Sequence, residues 1–382
     1  MLFALGFRPF FLLAGTLPVV VMPLWLAMWS EHWTVAAYFS PSLWHAHEML
    51  YGYATAVIAG FLLTSVRNWT GLATPTGAPL AVLAALWLAA RILLVYPPGS
   101  TGALAALVDL SFLPALMLAV GIPLARRAKW QNTGLLGILA FMACGNGVAH
   151  FAMRTGDQIL ARRGLDIGLY AVLLLIIILG GRVIPFFIRG ALPGAVPKSR
   201  PVLEVASITV FVAAAIAGIG GAPAAITAAL AAIAATLHAL RLAGWYSKQL
   251  WREPLLWVLY LGYAWLVVGL SLIAGTAFDL VPRSSAVHAF TAGTISVTTL
   301  GMMARVALGH SGRPLQAAPL TVWAFYLVNL AAVCRVAGPW LLPGKAVALI
   351  TVSGGLFTMS ALCFVSMYAP ILIKPRIDGK PG

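Results

Sequence analysis

Four histidines, His45, His47, His150 and His288, fall at the ends of long apolar stretches, and neutral imidazole is a ligand for copper and haem iron. A polar side chain is costly to keep idle at such depth, so a cluster of imidazoles there points to metal chemistry. The densest run is Trp44-His45-Ala46-His47-Glu48-Met49-Leu50-Tyr51. Helical spacing stacks His45 with Glu48 and His47 with Tyr51, on faces about 200° apart. His45, His47, His150 and His288 are therefore the metal-ligand candidates, sharing one level as an axial haem ligand plus ligands for a second metal. Glu48 and Tyr51 are the catalytic candidates. Glu48 is suited either to proton delivery or to plain hydrogen bonding at a helix start. His238 and His310 belong to the opposite level, since the helix from His288 to His310 would span about 33 Å.

Five arginines, Arg91, Arg182, Arg241, Arg305 and Arg335, also lie inside apolar stretches, where an unpaired guanidinium costs at least a few kcal/mol. Only two acids, Glu48 and Asp109, share that setting. A short hairpin separates Arg91 from Asp109, which reads as a structural ion pair. Haem propionates would supply further carboxylates: Arg91 and Arg335 accompany the four histidines, while Arg182, Arg241 and Arg305 accompany His238 and His310. The cofactor-binding candidates are thus His288, His238 and these five arginines. The second level reads as another haem site or a quinol pocket, with snorkelling as the alternative for Arg241 and Arg305.

The elements that position these residues follow from composition. Of 382 residues 62% are hydrophobic and 9% charged, with a mean hydropathy of +0.97. Soluble domains carry roughly a quarter charged residues, which excludes a water-soluble enzyme or a nucleic-acid-binding protein. The expected fold is all-α, a polytopic membrane helical bundle of about twelve spans forming a single integral membrane domain over 1–382 with no soluble domain. The spans are 10–29, 45–66, 79–97, 102–124, 133–153, 166–189, 202–219, 223–245, 255–276, 284–308, 319–341 and 345–372. The first is too long for a signal-peptide core and lacks a clear cleavage site. Connections are short and rich in breakers, as in Tyr96-Pro97-Pro98-Gly99-Ser100 and Gly220-Gly221-Ala222-Pro223. Fourteen basic residues, Arg8, Lys129, Arg313 and Lys380 among them, fall on the side of the termini and five on the other, so the positive-inside rule places both termini in the cytoplasm. His32 and Glu31 fall in the first outer loop. The three cysteines show no CxxC or close pair, which argues against disulfides and thiolate zinc sites.

Leu5-Gly6-Phe7-Arg8-Pro9-Phe10-Phe11, the Trp44 to Met49 run continuing to Asn68-Trp69-Thr70-Gly71, Gly180-Gly181-Arg182-Val183-Ile184-Pro185-Phe186-Phe187, and the stretch from His288 through Arg305 to Gly309-His310-Ser311-Gly312-Arg313 resemble the NnrS family. The resemblance covers nearly the whole chain. It implies a twelve-helix bacterial inner-membrane protein containing haem (haem b, one or two) and copper or another second metal, tied to denitrification and to resistance against nitric oxide. Three functions compete. An oxidoreductase, the favoured one, would reduce nitric oxide to N2O with membrane quinol as electron donor, since no CxxCH haem-attachment site or nucleotide fingerprint is present. A non-catalytic haem or copper protein would bind, sense or sequester nitric oxide. A cofactor-free transporter would use its histidines structurally. The expected partners are nitric oxide, membrane lipid and quinol, with no nucleic acid.

Overall fold

Proline opens and glycine closes many of the apolar stretches, and these signals become helix ends. Proline stands in the first turn of five helices, where its missing N–H costs nothing. Gly71, Gly156 and Gly221 terminate α-helical stretches with a positive φ that a side chain would oppose. The computed structural model describes residues 1–30, 38–97, 102–127 and 132–379. Among the described residues there are twelve long helices: α1 (Phe7–Trp29), α2 (Pro41–Thr70), α3 (Ala78–Val95), α4 (Ala103–Arg126), α5 (Gly134–Thr155), α6 (Gln158–Ala191), α7 (Pro201–Gly220), α8 (Ala224–Gly244), α9 (Pro254–Thr276), α10 (283–310), α11 (Pro319–Leu341) and α12 (Ala346–Ile373). No strand occurs among the described residues. Glu31, His32, residues 98–101, Lys129 and Lys380 lie outside them.

Eleven of these helices are long and apolar enough to cross a membrane. The exception by this measure is α10, the tenth of the twelve long helices. It is continuous over about 42 Å, but Ser284, Ser285, Thr291, Thr294, Ser296, Thr298 and Thr299 dilute its hydropathy. Several of these hydroxyls bond to their own helix: Thr291 Oγ1 to Val287 O at 3.2 Å, Ser296 Oγ to Thr291 O at 2.9 Å and Thr299 Oγ1 to Ile295 O at 2.6 Å. Helix α6 begins eight residues before the expected span at 166. Asp157 caps it, Oδ1 accepting from Ile159 N at 3.0 Å and Leu160 N at 2.9 Å. Both α2 and α10 contain a π turn, at Glu48–Ala54 and Ala289–Ile295.

The helices group into two units. The first comprises Met1–Ala171, Met303–Leu315 and Ala361–Gly382, and the second Val172–Met302 and Gln316–Ser360. In the first, Phe10 and Phe11 of α1 occupy the space that Gly60 leaves on α2, and Leu17 the space left by Gly52. Arg8 is fully buried and tethers the end of α12, Nη1 donating to Leu372 O at 2.9 Å and Lys374 O at 2.6 Å. Helices α5 and α6 meet backbone to backbone through Gly145, Ala149 and Gly164, the small-residue packing that brings membrane helices close. A Cβ on Gly164 would sit 2.6 Å from both Ala149 N and Gly145 O. Gly164→Ala is therefore expected to destabilise the protein by about 1–3 kcal/mol, read as a lower unfolding midpoint in detergent. In the second unit, α7 packs on α8, α8 on α9, and α9 and α11 on the π turn of α10.

Candidate metal centre

The first helical segment of α2 ends at His47, and the π turn that follows widens the helix at Glu48 to Ala54, a local change often found where function needs it. His47, Glu48 and Tyr51 are all buried as a result. Gly52 leaves room for a neighbouring guanidinium: a Cβ there would lie 3.1 Å from Arg91 Nη1 and 3.2 Å from Glu48 Oε2. Arg91, on α3, donates from Nη1 to Glu48 Oε1 at 3.0 Å and pairs through Nη2 with Asp109 Oδ1 on α4. The Arg91–Asp109 pair expected from the hairpin is present.

Asp109 does more than balance Arg91. Its Oδ2 accepts from Asn146 Nδ2 at 2.7 Å and faces His150 Nε2 at 3.0 Å and His47 Nε2 at 3.3 Å. His47 Nε2 also lies 2.9 Å from Asn146 Oδ1, so its N–H points between two acceptors, while its Nδ1 faces Glu48 Oε1 at 3.4 Å. The rings of His47 and His150 stand 5.5 Å apart and nearly perpendicular. One ligand atom from each of His47, Asp109 and His150 lies within 4.8 Å of the others, close enough to hold one metal ion. All three side chains are buried. His150 Nδ1, also buried, has no hydrogen-bond partner among the described residues. Phe39 covers this donor set, stacked on His47 at 4.8 Å and tilted to His150 at 5.4 Å.

A family model for the NnrS protein matches residues 1–376. The chain belongs to the NnrS family. No curated protein matches it.

Of the four imidazoles expected at one level in this NnrS protein, the structure brings His47 and His150 together. His45 stacks instead on Trp25, with ring centroids 4.2 Å apart. His288 belongs to the second unit, its Nδ1 lying 2.7 Å from Ser284 O. Tyr51 packs on His47 at 5.1 Å as helical spacing predicted, and its hydroxyl donates to Gly164 O at 3.1 Å. Sequence reasoning read Asp109 only as a partner for Arg91 and did not single out Asn146. The available signals were that Asp109 is one of two acids inside apolar stretches and that Asn146 precedes His150 by four residues, one helical turn.

The arginines and histidines expected at the second level take several settings. Arg241 is buried in the second unit and satisfied there: it pairs with Glu204 through Nε at 2.9 Å and through Nη2, and Nη1 donates to Ile177 O at 3.1 Å and Tyr263 Oη at 2.7 Å. The acid partner thus comes from Glu204, in the first turn of α7. His238 Nδ1 meets the same Tyr263 hydroxyl at 2.7 Å. Arg182 is exposed on α6, and Arg305 is buried in the first unit. His310 packs by its ring against Phe7 at 5.7 Å, and its carbonyl accepts from Arg376 Nη1 at 2.9 Å.

Proposed function

We propose that this protein is a metal-dependent membrane oxidoreductase acting on nitric oxide, with copper held by His47, Asp109 and His150. The carrying observation is the convergence of these three buried donors. Charge counting leaves room for one added positive charge in the cluster. With Glu48 and Asp109 ionised and Arg91 charged, the group carries one net negative charge, and a buried uncompensated charge is costly. Either a proton on His47 or a monovalent copper ion in its place restores neutrality. Two imidazoles suit copper. Bound there, the metal would supply a one-electron redox centre and a binding position for nitric oxide.

The surrounding residues have separable tasks. Asn146 holds Asp109 and His47 in register. Glu48 stands at the far nitrogen of His47, where a carboxylate orients a ligating imidazole. It is also the acid beside the donor set that need not ligate, so proton transfer falls to it. Tyr51 closes one side of His47. The overall reaction balances as two nitric oxide and one quinol giving N2O, water and one quinone.

The test is nitric oxide consumption by purified protein supplied with a quinol. N2O release with turnover is the expected result, and stoichiometric uptake without N2O would overturn reduction in favour of binding. Glu48→Gln keeps the shape and the hydrogen bonding while removing an exchangeable proton. It is expected to lower turnover by about a hundredfold at unchanged metal occupancy. Undiminished turnover would exclude Glu48 as the proton carrier, and loss of metal would assign it to positioning alone.

A further inference from the structure

Helices α9 to α12 repeat α1 to α4. The π turns show this first: α2 runs as a short helix ending at His47, a seven-residue π turn and a longer helix, and α10 runs as a short helix ending at His288, a seven-residue π turn and a longer helix. Gly52 and Gly60 therefore correspond to Gly293 and Gly301, a shift of 241 residues. The neighbouring helix meets each pair of glycines in the same way. Leu17 fills the space at Gly52 and Phe10 and Phe11 that at Gly60, while Trp265 fills the space at Gly293 and Val258 and Leu259 that at Gly301. All three α1 positions reach their α9 counterparts by a shift of 248.

Burial extends the match. The buried face of α3 at Leu80, Leu83, Ala84, Trp87 and Ala90 recurs on α11 at Thr321, Ala324, Phe325, Val328 and Ala331. That of α4 at Phe112, Leu113, Leu116, Val120 and Leu124 recurs on α12 at Ser360, Ala361, Phe364, Tyr368 and Leu372. Matching the dipeptides His45-Ala46 and His288-Ala289 would align His288 with the wrong histidine. The structural register pairs His288 with His47.

The chemistry differs between the copies. Copy two keeps the histidine, but Ala289 stands for Glu48, Ala332 for Arg91 and Phe357 for Asp109. It adds Arg335 one turn beyond Ala332, where copy one has Leu94. Arg335 Nη2 donates to Ser284 Oγ at 3.2 Å, and the Ser284 carbonyl takes His288 Nδ1 at 2.7 Å. Donation from Nδ1 leaves the ligating lone pair of His288 on Nε2 and fixes the ring, the usual outer contact of a metal-bound histidine. Arg335 Nη1 is buried and has no hydrogen-bond partner among the described residues.

We propose that the second copy is the haem site, where His288 would bind the iron and Arg335 would pair with a haem carboxylate. This deepens the redox reading above. An imidazole without carboxylates at the positions equivalent to Glu48 and Asp109 suits a metal that brings most of its own ligands, and a guanidinium with Nη1 still unbonded among the described residues suits a cofactor that brings negative charge. Copy one, with the His47 imidazole and the Asp109 carboxylate joined by His150 from α5, suits a bare ion.

The full-length protein is to be purified as wild type and as His288→Gly, Arg335→Leu and His150→Ala, recording Soret absorbance and copper content per chain. His288→Gly is expected to lower the Soret band at least fivefold with copper unchanged, and added imidazole is expected to restore it, which a folding defect would not allow. Arg335→Leu is expected to lower haem retention severalfold. His150→Ala is expected to do the reverse of His288→Gly, losing copper and keeping the Soret band. An unchanged Soret band in His288→Gly, or none in the wild type, would overturn this assignment and leave the copper reading standing. Copper retained in His150→Ala would overturn the copper reading alone.

Discussion

Asp109→Asn is expected to empty the metal centre while the helices stay folded, and Asp109→Ala is expected to lose both metal and stability. Asp109 meets Arg91 with one oxygen and Asn146, His150 and His47 with the other. The amide keeps the size of the side chain but removes the anion, so a metal there would leave the cluster with excess positive charge. Metal content per chain is expected to fall at least tenfold, consistent with the loss of a ligand. Alanine goes further, because Arg91 keeps only Glu48 as a charged partner in a buried position. Breaking a buried pair on one side costs about 3–5 kcal/mol, to be read as a lower unfolding midpoint. An Asp109→Asn variant with normal metal content would reduce Asp109 to the structural partner that its spacing from Arg91 first suggested.

That first suggestion shows what a linear sequence reveals. The Arg91–Asp109 pair was legible because a short hairpin joins α3 to α4 and an arginine in an apolar stretch must find an acid. The meeting of His47 with His150 depends on α5 lying beside α2 and α4, a packing order that hydropathy does not encode. Shared depth placed four histidines at one level, but depth leaves the direction around each helix axis open. His45 faces Trp25, whereas His47, two residues later, faces Asp109. The π turns were illegible for a related reason, since residues such as Glu48-Met49-Leu50-Tyr51 are compatible with an ordinary helix and the wider turn is set by what packs against it. The helices themselves were legible almost throughout, because long apolar stretches between proline and glycine signals allow little else in a membrane. Helix α10 is less apolar than the other eleven, and Thr291, Ser296 and Thr299 bond their hydroxyls to its own backbone.

The repeat also explains why the chemistry is lopsided. Two copies of one four-helix pattern supply equivalent backbone positions, so the residues that differ at those positions mark where the copies specialised. Glu48 and Asp109 in copy one both pair with Arg91, so the three charges depend on one another. Ala289, Ala332 and Phe357 in copy two lack all of those charges together. Losing one member alone would have stranded the others, which is why the set is present or absent as a whole.

Gly181→Ala is expected to be among the most damaging single-methyl changes in the second unit. A Cβ at Gly181 would lie within bonding distance of the Arg241 guanidinium, which passes over that glycine to reach Glu204. The guanidinium cannot retreat without giving up Ile177 O and Tyr263 Oη as well, and Tyr263 in turn holds His238. Displacing a buried, paired arginine costs about 3–5 kcal/mol, so the unfolding midpoint in detergent should fall well below that of the wild type. A double-mutant cycle isolates the cause. Arg241→Met removes the group that the methyl strikes, so adding Gly181→Ala to Arg241→Met should cost little beyond Arg241→Met alone. Equal penalties for Gly181→Ala in both backgrounds would show that the glycine serves the path of α6 and not the seat of Arg241.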